Sequence, residues 1–393
     1  IQLIRDLPEA VHIDKTLEAF GLFTQQDLLD RVRDLILPDK VGPAHRNNVK
    51  KVFVLSRVTI GADVAVTSII IERSKKLFPN ARICFLANSK NYELFGGEEN
   101  IKIIPMDYQR RGGLISRLES WLHALESINS ETKDMEPGEY AIIDSNSRVT
   151  QLGLLPLVKK DTGYYLFEPL AHADEEMRKL GEDVNEWLNK VFEGTIEDFT
   201  YPALSVPARY NEAAKGFYQK LFNNKEFAVT VNFGVGGNDD KRVSDEFEFE
   251  VVLHLIEQGA KVILDEGFGE DEIERTERLI DRLKARGKTI MRVNEDLAFI
   301  EELKPDLITY KGGIGQFAAL ISQSQFYVGY DSMGQHVAAA LEIPELVVFN
   351  GYPTEKFSWK WHPYGKGKIK IIHAEGKAEK DVLESTKKIL SML

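Results

Sequence analysis

Short apolar runs alternate along most of the chain with stretches whose apolar residues recur three or four positions apart. The runs predict buried strands and the periodic stretches predict helices. From Lys51 onward the two patterns follow one another, which is typical of parallel sheets whose strands are joined by helices. A first sheet is predicted from strands at 52–56, 82–87, 101–105, 139–144 and 163–168, with helices at 63–78, 113–128 and 172–192.

A second sheet is predicted after an interruption. The stretch 193–208 contains Pro202 and Pro207 and shows little periodicity, so we expect a domain boundary there. Further strands are predicted at 227–233, 260–265, 288–293, 306–309, 325–330 and 345–349. The fold class is therefore α/β, with two doubly wound parallel sheets whose carboxyl edges face each other across a cleft, where ligands of such sheets bind.

This pattern predicts four parts of the chain. They are a helical lead-in at 1–48, an amino-terminal Rossmann-like domain at 49–205, a carboxyl-terminal Rossmann-like domain at 206–375, and a final helix within 376–393.

Composition narrows the classes of partner. The chain has 393 residues and a net charge of −12, and no stripe of Lys and Arg stands clear of that acidic background. We therefore expect no nucleic-acid partner. No apolar run is long enough to span a membrane and no signal-type stretch begins the chain, so we expect a cytoplasmic protein.

The stretch 325–354 combines a strand, a turn, a helix and a second strand. The turn Asp331-Ser332-Met333-Gly334 leads into a helix whose first turn contains Gln335 and His336. A strand that turns sharply into a helix leaves the first helical N–H groups pointing out of the sheet edge, which suits a diphosphate. The alternative is an ordinary crossover in which Ser332 is only an N-cap.

Two further stretches are candidates for chemistry. Asp63 follows the first strand and stands at the expected start of helix 63–78, so it is either an N-cap or a general base that projects into the cleft. Lys241 and Arg242 follow the glycine-rich loop 234–238, which predicts a phosphate cradle. The alternative for this loop is a solvated turn beside two aspartates.

No metal site is predicted. The eight histidines lack the spacing of metal ligands and no Asp-x-Asp triplet occurs. The acidic run 270–274 opens a helix, where carboxylates favour the helix dipole.

Three motifs together resemble a known family. They are Asp63-Val-Ala-Val-Thr-Ser followed by the segment 75–83, Asp239-Asp-Lys-Arg242, and Asp331-Ser-Met-Gly-Gln-His-Val-Ala-Ala-Ala340. In this order and spacing they resemble the ADP-heptose:lipopolysaccharide heptosyltransferase family of GT-B glycosyltransferases, family 9. The motifs depart from the family pattern at Ala62 and Val243, and Met333-Gly334 displaces a glycine by one position.

The resemblance implies roles for individual residues. Asp63 matches the catalytic aspartate, Lys241 the lysine that contacts the donor phosphates, and Glu272 the glutamate that binds the donor ribose, although Glu270 or Glu274 would serve equally. The last helix is implied to cross back to the first domain. The donor-binding residues expected in this way are Gly234, Gly236, Gly237, Lys241, Arg242, Glu272, Asp331, Ser332, Met333, Gly334, Gln335 and His336.

The function implied is an inverting, metal-independent glycosyltransferase without a cofactor. It would move a sugar from a nucleotide-diphosphate donor, ADP-heptose or similar, to a glycan or lipid-linked glycan acceptor, and a peripheral contact with the inner membrane face stays open. Two alternatives remain at this point. One is a nucleotide-sugar epimerase or hydrolase of similar fold, and the other is a non-catalytic nucleotide-sugar-binding scaffold.

Overall fold

The protein is described here by a computed structural model. It describes residues 5, 7–36, 41–109, 112–159, 163–169, 177–193, 199–222, 226–299 and 304–393. The chain divides into two compact units, Ile1–Thr200 and Tyr201–Leu393. The division lies inside the stretch 193–208, of which 194–198 are outside the described residues.

The amino-terminal unit is built on a five-stranded parallel sheet in the order β3-β2-β1-β4-β5. Its strands are β1 Lys51–Leu55, β2 Arg82–Ala87, β3 Ile101–Pro105, β4 Tyr140–Asp144 and β5 Tyr164–Leu166. The central strands read as unbroken apolar runs because both faces of a parallel sheet are covered. Phe53 and Leu55 of β1 point into one core cluster and are fully buried.

Helices cover both faces of this sheet. A short 3₁₀ turn, Pro8–Ala10, leads into α1 Val11–Ala19, α2 Gln25–Ile36 and α3 Pro43–Asn47. After β1 a helix that we call α4 runs through the segments Ile60–Ala62, Asp63–Thr67 and Ser68–Leu77, followed by α5 Tyr92–Phe95, α6 Leu114–Thr132 and α7 Leu180–Val191. The predicted helix 172–192 is therefore shorter than expected, and its residues 172–176 lie outside the described part of the chain.

The carboxyl-terminal unit holds a seven-stranded parallel sheet in the order β12-β11-β10-β6-β7-β9-β8. Its strands are β6 Ala228–Asn232, β7 Lys261–Asp265, β8 Ile290–Asn294, β9 Leu307–Lys311, β10 Phe326–Tyr330, β11 Glu345–Phe349 and β12 Ile369–His373. Six of these were predicted, and β12 is an edge strand that the sequence pattern missed. The α/β class with two doubly wound parallel sheets is confirmed.

The helices of this unit are α8 Ala208–Phe222, α9 Asp245–Glu257, α10 Glu270–Ala285, α11 Ile314–Gln323, α12 Met333–Ala340, α13 Glu355–Lys360 and α14 Glu379–Leu390. Ser244 caps α9, since its hydroxyl oxygen accepts from the Phe247 N–H at 3.0 Å. A short 3₁₀ turn, Asp239–Lys241, lies in the loop between β6 and α9.

The last helix packs within the carboxyl-terminal unit. It lies on α9, and Val382 and Leu390 complete the same buried cluster as Phe247. The expected crossing to the first domain stays a prediction. The Lys387 ammonium lies 2.6 Å from Glu250 Oε2 beside this contact. The apolar face of α14 is therefore already covered by the unit in which it begins.

Candidate functional site

Asp63 is enclosed by hydrogen-bond donors from both sides of the turn that follows β1. Its Oδ1 accepts from the Arg57 N–H at 2.8 Å and from the Thr67 hydroxyl at 2.9 Å. Its Oδ2 accepts from the Ser56 hydroxyl at 2.7 Å. The side chain is 0% exposed, so these donors replace water as the partners of the carboxylate.

The position of Asp63 in its helix differs from the expected one. The helix begins at Ile60 after Thr59, and Asp63 lies one turn inside it, with its N–H bonded to the Thr59 carbonyl at 2.9 Å. Asp63 is therefore not the N-cap. The five residues Asp63–Thr67 form a π turn, in which the Ser68 N–H reaches back to the Asp63 carbonyl. Single π turns in helices are frequent at functional sites.

Burial changes the acidity of this carboxyl group. Removal from water raises the pKa of Asp63 to about 6, against the lowering effects of the Ser56, Arg57 and Thr67 donors and of the Arg57 charge. Arg57 itself is held by the Ser145 carbonyl at 2.7 Å, and burial lowers its pKa to about 10, so it stays protonated at neutral pH. An aspartate with a pKa near 6 is ionised at neutral pH and is a stronger base than an ordinary one.

The second group of predicted residues meets in the carboxyl-terminal unit. The Lys241 ammonium lies 2.6 Å from Asp331 Oδ2 and 3.0 Å from the Asp331 carbonyl oxygen. These residues follow β6 and β10, which are neighbours in the sheet, so their carboxyl ends meet at one edge. The expected juxtaposition of the lysine loop with the turn before α12 is therefore present.

The turn before α12 leaves its first N–H groups without a side-chain cap. Ser332 occupies the N-cap position, but its hydroxyl donates to Asn232 Oδ1 at 3.3 Å instead of capping the helix. Met333, the first helical residue, is partly exposed. Helical N–H groups with this orientation bind anions.

Gly334 is required by close packing. A Cβ at this position would lie 2.0 Å from the Tyr327 hydroxyl, which is far closer than non-bonded atoms approach one another. The tyrosine of β10 thus occupies the space that a side chain at this displaced glycine of the motif would need.

Gln335 and His336 are buried behind this turn. The Gln335 amide donates to Asp331 Oδ1 at 2.8 Å, which fixes the aspartate from the side opposite Lys241. Burial lowers the pKa of His336 to about 4, so the imidazole is neutral at pH 7. Its ring lies 6.1 Å from that of Trp361.

Glu272 lies beside the glycine-rich loop, with its carboxylate bound to backbone donors. Oε1 accepts from the Val235 N–H at 3.0 Å and from the Gly236 N–H at 3.2 Å. Oε2 accepts from the Phe268 N–H at 2.9 Å. Glu272 therefore joins the loops after β6 and β7, and these loops contain Gly236, Gly237 and Gly267 at positive φ.

Arg242 is paired with two acidic residues of α9. Its guanidinium is paired with Glu248 Oε1 at 2.8 Å and with Asp245 Oδ1 at 2.6 Å, at the start of α9. Its side chain is 12% exposed. Without a ligand the guanidinium of Arg242 is thus held by two carboxylates of α9, and its assignment to the donor stays a prediction.

Three residues of this region were missed by the sequence analysis. Asn232 donates to Asp265 Oδ2 at 2.5 Å, and burial raises the pKa of Asp265 to about 7. The Asn350 amide donates to the carbonyls of Asp240 and Arg242 and so supports the lysine loop from behind. Asparagines and aspartates at strand ends are the signal that could have found them.

Two properties of the described residues bear on cofactors and membranes. Within the ranges given above, no three or more His, Cys, Asp and Glu side chains are grouped so as to hold a metal ion. In the same part of the chain no helix has the length and apolar character to cross a membrane.

Comparisons with known proteins agree with this architecture. Residues 238–390 match the family model of glycosyltransferase family 9 (heptosyltransferase). A comparison with curated proteins gives no match. Three solved structures share the fold over most of their length.

The first is a family 9 glycosyl transferase from Veillonella parvula, with 16% identity, 88% of this chain and 99% of that chain covered, and a TM-score of 0.62. The second is E. coli heptosyltransferase WaaC with ADP-2-deoxy-2-fluoro heptose. The identity is 16%, the match covers 87% of this chain and 99% of that chain, and the TM-score is 0.58. The third is E. coli ADP-heptose lps heptosyltransferase II, with 15% identity, coverage of 87% and 98%, and a TM-score of 0.57.

The two parallel-sheet units have the GT-B architecture of these solved structures. The match over residues 238–390, together with the shared fold, supports a glycosyltransferase that is similar to family 9.

Proposed function

We propose that the protein transfers a sugar from a nucleotide-diphosphate donor, ADP-heptose or a close analogue, to a hydroxyl of a glycan or lipopolysaccharide-type acceptor, with inversion at the anomeric carbon. The family match supports this class of reaction. The solved E. coli heptosyltransferases with ADP and with an ADP-heptose analogue support the choice of donor. With a lipid-linked acceptor the reaction would take place at a membrane surface, and we place it on the cytoplasmic side.

The observation that carries the proposal is the contact between Lys241 and Asp331 beside the uncapped start of α12. Two of the three Lys241 N–H donors are directed at Asp331, and the third can bind a phosphate oxygen. The first N–H groups of α12 bind the same diphosphate. Together they stabilise the negative charge that develops as the diphosphate leaves.

Asp63 is the proposed general base. A carboxylate accepts about four hydrogen bonds, and three are made here, so Oδ2 keeps one position for the acceptor hydroxyl. Asp63 takes the hydroxyl proton as the oxygen attacks the anomeric carbon on the face opposite the diphosphate. A single displacement of this kind inverts the configuration. Because the carboxylate is buried, acceptor binding must open a path to Oδ2.

The proposed reaction uses no metal ion. Lys241 and the helix N–H groups supply the positive field that a divalent cation supplies in other phosphate sites. The diphosphate therefore leaves as an anion bound to protein donors. Donor turnover that is unchanged by chelating agents is the expected result.

The test compares two buried aspartates of the same unit. Asp63→Asn should lower turnover by about 10²–10⁴-fold with little change in ADP affinity, because the amide cannot accept a proton. Asp144 is the matched control. It is also 0% exposed and also accepts three hydrogen bonds, from the Ser147 N–H, the Thr150 hydroxyl and the Tyr164 hydroxyl.

Asp144→Asn should keep turnover within a few-fold of the wild type at a temperature where both variants are folded. Equal losses in the two variants would reduce Asp63 to a structural aspartate. Donor turnover that is independent of acceptor would favour an epimerase or hydrolase, and donor binding without any turnover would favour a scaffold.

A further inference from the structure

Two hydroxyl groups hold the Asp63 carboxylate from opposite sides. Ser56, the residue after β1, donates to Oδ2, and Thr67, at the end of the π turn, donates to Oδ1. Both side chains are almost fully buried, at 2% and 0% exposed. Neither residue belongs to the sites described above as binding the donor.

The direction of the Ser56 hydroxyl is set by a second hydrogen bond. Its oxygen accepts from the Val58 N–H at 2.8 Å, which leaves the hydroxyl proton directed at Asp63. Val58 has a φ of 76°, a left-handed conformation that a β-branched residue rarely adopts. Backbone strain of this kind persists where the surroundings enforce it, and it clusters at functional sites.

Thr67 reaches Asp63 from within the same helix. It lies four residues after Asp63, on the turn where the backbone widens from α to π geometry. Its hydroxyl donates to the carboxylate of Asp63, and its methyl group is buried. A valine at this position would keep the shape and lose only the donor.

We propose that Ser56 and Thr67 are positioning residues, which aim the two oxygens of Asp63 and keep the carboxylate ionised while it waits for the acceptor hydroxyl. The inference rests on the proposed role of Asp63 as the base. It adds that neutral hydroxyl donors, and not a second acidic group or a histidine, adjust the strength of that base.

The charged groups around Asp63 support the proposal that the two hydroxyls adjust its pKa. Arg57 is the charged group that faces the carboxylate, through its N–H and its guanidinium. That guanidinium also interacts with the carboxylates of Asp144 and Glu168, so its positive charge does not act on Asp63 alone, and Arg148 repels it. The two hydroxyls donate to Asp63 and to no other acceptor among the described residues.

The experiment follows the titration of Asp63 directly. Protein labelled with ¹³C at the aspartate carboxyl groups is titrated by NMR, and the Asp63 signal is assigned by its loss in Asp63→Asn. In Thr67→Val the midpoint should move upward by about one pH unit, because a donor to the charged form has been removed. In Thr67→Ser, which restores the hydroxyl, the midpoint should return close to that of the wild type.

Ser56→Ala is the second variant and removes the donor to Oδ2, so it should also raise the midpoint. It decides the matter if Thr67→Val does not fold. The acid limb of turnover against pH should move with the NMR midpoint in each variant. Midpoints equal to that of the wild type in Thr67→Val, or in Ser56→Ala where only that variant folds, would overturn the inference.

Failure of the proposed function has a different signature. If Asp63→Asn keeps full turnover while Thr67→Val still moves the midpoint, the hydroxyls control an aspartate that is not the base. If Asp63→Asn is inactive and the midpoint does not move, Asp63 is the base and Ser56 and Thr67 are ordinary core residues.

Discussion

The ammonium nitrogen of Lys241 lies 2.6 Å from Oδ2 of Asp331, across two loops that are 90 residues apart in the chain. The side chain of Asp331 is only 8% exposed, and that of Lys241 is 24% exposed. A partly buried pair of this kind is screened less by salt than a surface ion pair. The lysine is therefore oriented before any donor phosphate arrives.

This orientation predicts the effect of Lys241→Ala. The variant should bind ADP about 10–100-fold more weakly, since a charge-assisted hydrogen bond to phosphate contributes about 1.5–3 kcal/mol. Isothermal titration calorimetry measures the difference. The free energy of unfolding should also fall, because Asp331 is 8% exposed and loses its cation, although the Gln335 amide still binds its Oδ1.

Arg242→Ala is the matched control for Lys241→Ala. Its guanidinium joins Asp245 and Glu248, so its loss leaves the buried Glu248 carboxylate without its cation and destabilises the start of α9. We expect lower stability and nearly unchanged ADP affinity. If Arg242→Ala weakens ADP binding and Lys241→Ala does not, the donor phosphates contact Arg242 and not Lys241.

Gly334→Ala should lower the free energy of unfolding, and Gly216→Ala should raise it. At Gly334 the new methyl group collides with the Tyr327 hydroxyl, and such overpacking costs about 1–3 kcal/mol. Gly216 lies inside α8 with open space around its Cβ position, so alanine should stabilise the helix there by about 0.5–1 kcal/mol.

The collision can be relieved from the other side. Tyr327→Phe removes the hydroxyl oxygen that the new methyl group would meet, so the double variant should recover part of the stability lost in Gly334→Ala. Urea unfolding of the wild type, the two single variants and the double variant gives the coupling energy. Strict additivity of Gly334→Ala and Tyr327→Phe would contradict the contact.

The raised pKa of Asp63 predicts how stability depends on pH. In the folded protein the pKa lies at about 6, above its reference value of 3.8, so the native state holds the proton more tightly than the unfolded chain. The charge of Asp63 therefore lowers stability as pH rises from 3.8 through 6, by up to about 3 kcal/mol in total. Asp63→Asn avoids this penalty.

Asp63→Asn should thus gain stability over the wild type above about pH 6 and lose that advantage below about pH 4. Asp27 supplies a control of opposite sign, since the Phe23 and Thr24 N–H groups and the Thr24 hydroxyl lower its pKa. Asp27→Asn should become less stable than the wild type as pH rises. A pH-independent difference for Asp63→Asn would mean that the carboxylate is not desolvated.

Leu390→Ala tests the place of the last helix. Leu390 is 2% exposed within the core cluster of the carboxyl-terminal unit, and truncation of a buried leucine costs about 2–5 kcal/mol. Leu393, three residues further on, is 50% exposed and is the control. We expect a clear fall in the thermal midpoint for Leu390→Ala and almost none for Leu393→Ala.

Much of the fold could be predicted because its central strands are buried on both faces. Apolar runs such as Phe85-Leu86 in β2 and Val347-Val348 in β11 are typical of strands inside a parallel sheet. The edge strand β12 was missed because Lys368 precedes it and Lys370 interrupts its apolar residues. Charged residues of this kind are common on the exposed edge strands of sheets. The pattern of the final helix shows an apolar face but not which surface covers it.

The candidate site was predictable in its parts and not in its contacts. Asp63, Lys241 and Asp331 could be selected because each follows a strand at the ligand-binding edge of its sheet. The π turn could not be predicted, since one extra residue in a helix leaves little trace in the apolar pattern. The partners of Glu272 depend on glycines at positive φ, whose conformations are decided by the folded loops.

The hydrogen bonds that the Glu272 carboxylate accepts from two loops affect the kinetics of donor binding. Because one carboxylate already ties Val235, Gly236 and Phe268 together, the glycine-rich loop is ordered before a donor arrives. A donor that meets an ordered loop loses little affinity to the entropy of folding it. Association should then follow a single exponential phase whose rate rises in proportion to donor concentration, without the plateau that a slow loop rearrangement would impose.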